Sequence, residues 1–247
     1  GTDGMGTTAE NLVDLHGISR EDQDRFAAWS QEKATLAQQQ GHFAEEIGSV
    51  RIPRRKQDDL IFDADEFIKP KSTQDILAKL RPAFRKEGGT VTAGNSSGLN
   101  DGACALLMAN QEGMKQHGWT PLAQIVSSAV VGVEPRIMGI GPVEASKQAL
   151  SKANLRLEDM DHIELNEAFA AQSLACTRSL GLQDNDPRIN PQGGAIALGH
   201  PLGMTGARIL LTAARQLSRN GGKYALVSLC IGVGQGYATV IKNPAFE

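Results

Sequence analysis

The sequence predicts a layered α/β fold with a mostly buried sheet. From Ala123 onward, short apolar runs alternate with helix-like runs at the spacing of strand–helix–strand units, and the last two runs lie close enough to close as a hairpin. At 247 residues the chain is long enough to bury a sizeable core.

The elements follow in chain order. Thr7 and Glu10 have capping-box spacing and open a helix through Asn11 to Leu15 that stops at Gly17. Ser19 and Asp22 repeat the signal for a longer amphipathic helix, running through Phe26 and Trp29 to a stop at Gly41. Residues 48–71 mix prolines, charges and short apolar pieces, Val50 to Ile52 and Leu60 to Phe62, and read as strands and loops. A helix over residues 72–81 opens at Ser72 or Thr73, so that residues 1–90 make a mixed, loop-rich layer. Beyond Gly88, Thr90 to Thr92 reads as a strand, Ala93 to Gly98 as a tight polar turn and Asp101 to Asn110 as an alanine-rich buried helix. A strand at Ala123 to Val133 precedes a helix from Pro142, where proline suits the first helical turn. A strand at His162 to Leu165, a helix to Leu180, a glycine-rich stretch, a helix to about Ser218 and strands at Tyr224 to Cys230 and Gly236 to Ile241 complete the pattern. No internal repeat or low-complexity segment interrupts it.

A formal net charge of -3 gives no electrostatic case for nucleic acid or an acidic membrane surface. No apolar run approaches the length of a membrane span and the first residues carry no signal-peptide pattern, so a soluble, cytoplasmic protein is expected. Cys104, Cys176 and Cys230 sit far apart without paired spacing, which suits a reducing compartment and argues against a disulfide framework. The chain opens at Gly1 without an initiator methionine, and a preceding segment of the gene is expected.

Three stretches could carry chemistry. GGAIALGHPLGMTGAR at 193–208 surrounds His200 with glycine. It lacks the Lys-Ser/Thr pair of a phosphate loop and the glycine order of a dinucleotide loop, so glycine here permits close backbone approach and unusual dihedral angles. His200 is either satisfied by backbone carbonyls in a tight turn or, with Pro201 behind it and a helix N-terminus following, held as a neutral base. In CIGVGQG at 230–236, Cys230 ends a buried strand, either as a small core residue before a hairpin or as a thiol tuned by a neighbouring cation, imidazole or amide-lined turn. The N–H of Gly232 is unshielded and could meet a developing negative charge. Asn166 and Glu167 stand at a strand-to-helix junction, where asparagine is a good helix cap and also an amide able to hold a water or orient a partner. Cys104 and Cys176 read as core within alanine-rich helices. His16, His42, His117 and His162 lack ligand spacing, so no metal site is expected. Arg51 to Lys56 reads as a solvated basic face, with contact to an anionic group as the alternative.

Taken together, NEAFA at 166–170, GGAIALGHPLG at 193–203, CIGVGQG at 230–236 and VTAGNSSGLNDGA at 91–103 resemble the thiolases, which make or cleave 3-oxoacyl-CoA. MGTTAEN at 5–11 matches as well, so the resemblance spans essentially the whole chain. GVEPRIMGIGPV at 132–143 and DPRINPQGGAIALGHPLGMTGARI at 186–209 look most like the 3-oxoadipyl-CoA thiolases of aromatic-compound breakdown, with acetoacetyl-CoA and fatty-acid oxidation thiolases as alternatives.

The resemblance implies a thiolase fold, layered α/β/α with a loop domain, and a role for each motif. His200 would activate a nucleophilic cysteine and, with a water held by Asn166, form an oxyanion hole for the thioester oxygen. Cys230 would be the second acid/base, with the Gly232 N–H in a second oxyanion hole. Met5, Phe84, Ala93, Ser97, Ala168 and Phe169 would line the coenzyme A path, and Lys69 or the cluster at 51–56 would meet the 3′-phosphate. Coenzyme A and acetyl-CoA would be substrates, with no cofactor held permanently, and complete thiolases are dimers or tetramers.

One departure is large. Thiolases carry the acylated cysteine in an N-terminal domain, and none of the three cysteines here stands in a matching context. The implied division is a partial loop domain at 1–90, the tail of the N-terminal domain at 91–118 and the C-terminal domain at 119–247, with most of the N-terminal nucleophile half missing. Gly4 stands before Met5 where some relatives place a histidine. The expectations are therefore a thiolase as parent protein and an isolated chain without turnover. The competing readings are a decarboxylating condensing enzyme, against which Cys230 counts, and a non-catalytic module binding coenzyme A or an acyl lipid.

Overall fold

The computed structural model describes residues 3–246. Helix α1 (Met5–His16) ends at Gly17, whose φ of 62° is the left-handed cap that glycine supplies. The expected Thr7–Glu10 capping box does not form. Glu10 is buried, and its carboxylate instead accepts hydrogen bonds from the Thr90 and Val91 backbone N–H groups at 2.9 Å each. Helix α2 (Arg20–Gln39) starts as expected, with the Ser19 hydroxyl accepting from the Asp22 N–H. A short 3-10 turn, His42–Glu45, follows it.

Strands β1 (Val50–Ile52) and β2 (Leu60–Phe62) pair antiparallel as a separate, exposed ribbon. The helix expected over 72–81 contracts to a single turn, α3 (Gln74–Leu77). Arg20 donates to the carbonyls of Leu77 and Leu80, taking acceptors that a longer helix would use, and Pro82 follows. Thr90 to Thr92 is not a strand, because the N–H groups that would ladder are committed to Glu10; Thr92 makes only an isolated bridge with Pro82. The helix expected at Asp101 to Asn110 is also absent. Leu107 and Met108 lie exposed there, and helix propensity without an apolar surface to pack on does not hold a helix. Cys104 is consequently half-buried in an irregular segment and does not belong to the core. Helix α4 (Gln111–His117), not among the expected elements, follows, with Asn110 accepting from the Gly113 N–H as its cap.

The remainder matches the expected alternation. It consists of β3 (Gln124–Gly132), α5 (Gly141–Ala153), β4 (His162–Leu165), α6 (Ala170–Ser179), the single turn α7 (Ala195–Leu198), α8 (Thr205–Asn220), β5 (Tyr224–Ile231) and β6 (Gln235–Lys242). The sheet order is β3-β6-β5-β4, with β4 parallel to β5 and the other pairs antiparallel. The alternating side chains of β5 decide the layering. Leu226 points to one face with Ala145, Ala149 and Leu150 of α5, whereas Ala225 and Val227 point to the other with Ile209, Ala213 and Leu217 of α8. Both faces are thus covered, as a partly parallel sheet requires. Helices α1 and α2 pack through Leu12, Val13, Phe26 and Ala27 on Ala170, Ala171, Leu174 and Ala175 of α6. Each fully buried leucine in these layers contributes about 2 kcal/mol.

Candidate active site

The parallel pair β4/β5 brings the three singled-out side chains to one end of the sheet. Asn166 follows β4 directly, and its backbone N–H donates to the Ser228 carbonyl at 2.9 Å, two residues before Cys230 in β5. Both residues therefore sit at the carboxyl ends of adjacent parallel strands, where open α/β sheets place ligands. His200 reaches the same place from the loop between α7 and α8. Its backbone N–H donates to the Gly98 carbonyl at 3.0 Å, so the polar turn at 95–100 buttresses it. Gly199 has φ of 93°, and a Cβ there would stand 2.4 Å from the Asn100 side-chain oxygen, which excludes any other residue.

His200 Nε2 lies 3.3 Å from Asn166 Nδ2, and Nδ1 lies 2.7 Å from the Thr205 hydroxyl. Asn166 is almost fully buried, yet its side-chain oxygen has no hydrogen-bond partner. Burial lowers the His200 pKa, and the nearby Arg208 charge lowers it further, so the ring is neutral at pH 7. Cys230 is buried against Met138, Ala168 and Phe169. Burial pushes its thiol up to about 12, which keeps the proton on sulfur. Gly232 lies exposed in the turn that follows, with open space where a side chain would be. Cys176 is buried in α6 with its pKa raised by burial, its thiol donating to the Gly139 carbonyl at 3.2 Å, in agreement with a core role.

A buried carboxylate braces this arrangement. Glu167 accepts from the Ser30 hydroxyl at 2.6 Å, from Asn190 Nδ2 at 2.8 Å and from the Ile196 N–H at 3.2 Å. It thereby ties α2, the sheet edge and the glycine-rich stretch before His200 to the strand end that carries Asn166. A Cβ at Gly194 would stand 2.3 Å from the Glu167 carboxyl carbon, so the packing of this carboxylate requires bare backbone. Asn190 also brackets Leu165, donating to its carbonyl and accepting from its N–H, each at 2.8 Å.

The residues expected along a coenzyme A path fall beside this centre. Phe84 and Phe169 meet edge to face at 5.9 Å, and Gly6, next to Met5, lies under the Phe84 ring. The Ser97 hydroxyl and N–H both donate to the Ala168 carbonyl at 3.0 Å. Ala93 is exposed on the adjoining turn. Lys69 is linked through Phe67, whose ring packs on Gly98 and lies 4.6 Å from the Lys69 ammonium. The basic residues of 51–56 stand on the exposed β1–β2 ribbon, where Arg51 pairs with Asp59; among the described residues no hydrogen bond or ion pair joins them to the site. A cleft of about 340 Å³ lined by Phe26, Trp29, Gln74 and Leu174 lies between α2, α3 and α6 and shares no lining residue with His200, Asn166 or Cys230.

Thr205, Asn190 and Ser30 were missed in the sequence. Thr205 had a usable signal, a hydroxyl at the start of a helix five residues after the histidine. Asn190 and Ser30 had none, because their roles arise from contacts across 23 and 137 positions of chain.

Family models for the thiolase C-terminal domain and the thiolase N-terminal domain match residues 119–243 and 2–112. The chain belongs to the thiolase family. The beta-ketoadipyl-CoA thiolase of Acinetobacter baylyi is 55% identical over 243 residues, covering 98% of this chain and 60% of the relative. A 3-oxoadipyl-CoA/3-oxo-5,6-dehydrosuberyl-CoA thiolase of Escherichia coli is 52% identical over the same length. Among solved structures, the Bacillus anthracis acetyl-CoA acetyltransferase superposes with a TM-score of 0.93 at 44% identity, covering 98% of this chain and 60% of that one. Human mitochondrial 3-ketoacyl-CoA thiolase superposes with a TM-score of 0.89 at 46% identity, covering 97% and 59%. This thiolase chain thus spans about 60% of the length of the curated relatives it matches. Among its described residues no helix is long and apolar enough to cross a membrane.

Proposed function

We propose that the protein carrying this chain cleaves 3-oxoacyl-CoA with coenzyme A to give acyl-CoA and acetyl-CoA, or runs the reverse condensation, with 3-oxoadipyl-CoA as its substrate. The observation that carries the reading is the convergence of a neutral imidazole, a buried amide and a protonated buried thiol at the carboxyl ends of β4 and β5. The substrate choice rests on the names of the relatives and on the stretches at 132–143 and 186–209.

In the cleavage direction a cysteine thiol supplied from outside Cys104, Cys176 and Cys230 gives its proton to His200 Nε2. The resulting thiolate attacks the 3-oxo carbon, and the bond between carbons 2 and 3 breaks. The electron pair is left on the acetyl-CoA fragment as an enolate, and the Cys230 thiol returns a proton to its carbon. The enolate oxygen is met by the His200 Nε2–H and by a water on Asn166, whose unpartnered oxygen suits that task. The Gly232 N–H faces the oxyanion on the tetrahedral carbon. Coenzyme A thiol then gives its proton to the Cys230 thiolate and takes the acyl group, and the departing cysteine thiolate recovers its proton from His200 Nε2, closing a two-step transfer. Met5, Phe84, Ala93, Ser97, Ala168 and Phe169 flank the pantetheine and adenine, with Lys69 at the phosphate end. The 1–90, 91–118 and 119–247 division follows the same reading. So do a nucleophile domain outside this chain, no turnover by the chain alone, and a dimer or tetramer for the complete protein.

The test is thiolysis of 3-oxoadipyl-CoA and acetoacetyl-CoA by the full gene product and its His200→Asn and Cys230→Ser variants. Turnover that prefers 3-oxoadipyl-CoA and falls at least about 100-fold in each variant is expected. Equal turnover in Cys230→Ser would instead favour a condensing enzyme that needs no second cysteine.

A further inference from the structure

We propose that Thr205 is a positioning residue that fixes the tautomer of His200, placing the proton on Nδ1 and leaving Nε2 as the acceptor. The inference rests on the reading of His200 as a base and extends it to a residue that no motif assigned.

Two observations point the same way. The Thr205 hydroxyl lies 2.7 Å from His200 Nδ1 and 2.9 Å from the Pro201 carbonyl oxygen. A carbonyl only accepts, so the single hydroxyl proton goes to Pro201, and the hydroxyl oxygen accepts from an N–H on Nδ1. At the other edge of the ring, Asn166 presents Nδ2 to Nε2 at 3.3 Å. With the amide in this orientation its NH₂ donates, and Nε2 is the acceptor. Both neighbours are satisfied by one tautomer, and the opposite tautomer would require the Asn166 amide to turn over and the Thr205 hydroxyl to give up Pro201. The tautomer also fits the chemistry, since Nε2 must receive the proton of the attacking thiol before it can serve as a donor to the enolate oxygen.

Placement makes Thr205 suited to this. It is 1% exposed, it is the first residue of α8, and its own N–H donates to the Pro201 carbonyl at 2.9 Å. The hydroxyl is therefore held by the same turn that holds the imidazole, with His200 anchored by its N–H to Gly98. A valine there would keep the shape of the side chain and remove the acceptor. Serine would keep the acceptor and drop a methyl group.

The experiment is heteronuclear nitrogen NMR of the histidine-labelled chain at pH 7, with His200 identified by its loss in His200→Asn. It compares the unmodified chain with Thr205→Val and Thr205→Ser, each checked by thermal unfolding. The expected result is a protonated Nδ1 and an unprotonated Nε2 in the unmodified chain and in Thr205→Ser, and a shift toward a mixture of tautomers in folded Thr205→Val. A protonated Nε2 in the unmodified chain would overturn the proposal, as would a folded Thr205→Val with unchanged His200 resonances. If Thr205→Val does not fold, the unmodified chain and Thr205→Ser decide the matter alone. The readout needs no turnover, so a failure to detect thiolysis leaves it standing and its failure leaves the thiolytic reading untouched.

Discussion

His200 is kept neutral by two causes that can be separated. Burial is the larger, and the Arg208 charge is the smaller. Arg208 is itself mostly buried, its nearest carboxylate oxygen is on Glu164 at 4.0 Å, and two of its guanidinium nitrogens have no hydrogen-bond partner. Its field is thus only partly neutralised at the imidazole. Arg208→Gln is expected to raise the His200 pKa. In its proposed role His200 acts as the neutral base, so a raised pKa moves the acidic limb of activity to higher pH; the same shift is read directly by NMR titration of His200. A downward shift or none would mean that Arg208 acts on the site through packing alone. At this scale the sequence singled out Asn166, His200 and Cys230 but not what holds them. His200 and Cys230 stood out beside glycine-rich stretches, and Asn166 at a strand-to-helix junction. Of their supports, Thr205 carries a local signal as a hydroxyl at a helix start, whereas Asn190 and Ser30 look like ordinary polar residues until the chain folds.

Between residues 123 and 242 the elements were legible to within a few positions, because each strand and helix buries one face on a neighbour in the same stretch. Between 72 and 110 they were not. There the outcome depends on single distant partners, Glu10 for Thr90 and Val91 and Arg20 for the end of α3, which no local pattern announces. Backbone conformation supplies two opposite expectations at this scale. Gly194→Ala drives a methyl group into a carboxylate held by three hydrogen bonds, and a loss of about 1–3 kcal/mol is expected. Val233 has φ of 73°, a left-handed conformation that is costly for a β-branched residue, at an exposed turn after Cys230. Val233→Gly is therefore expected to gain about 1 kcal/mol. Urea unfolding of both variants checks the pair; equal signs would contradict these backbone conformations.

Across the whole molecule, coverage is uneven. The sheet is covered on both faces, yet Leu99, Leu107, Met108, Trp119, Ile125 and Val130 remain exposed along one stretch of chain and the edge strand β3. An unpaired edge beside apolar side chains promotes association. Sedimentation of the 247-residue chain is expected to show concentration-dependent self-association that weakens in a Leu107→Lys, Val130→Lys double variant. A monomer at all concentrations would show that this surface is not adhesive. The site is uneven in the same way: in the proposed roles it holds a base, an amide and an acid, with the Cys230 thiol raised by burial to about 12, and the attacking thiol comes from elsewhere.

That assignment of roles is tested most directly by incubating the chain with acetyl-CoA and mapping acetylated residues by mass spectrometry. The account expects no thioester on Cys104, Cys176 or Cys230. An acetyl group on Cys230 would make it the nucleophile and contradict its role as the acid that returns the proton.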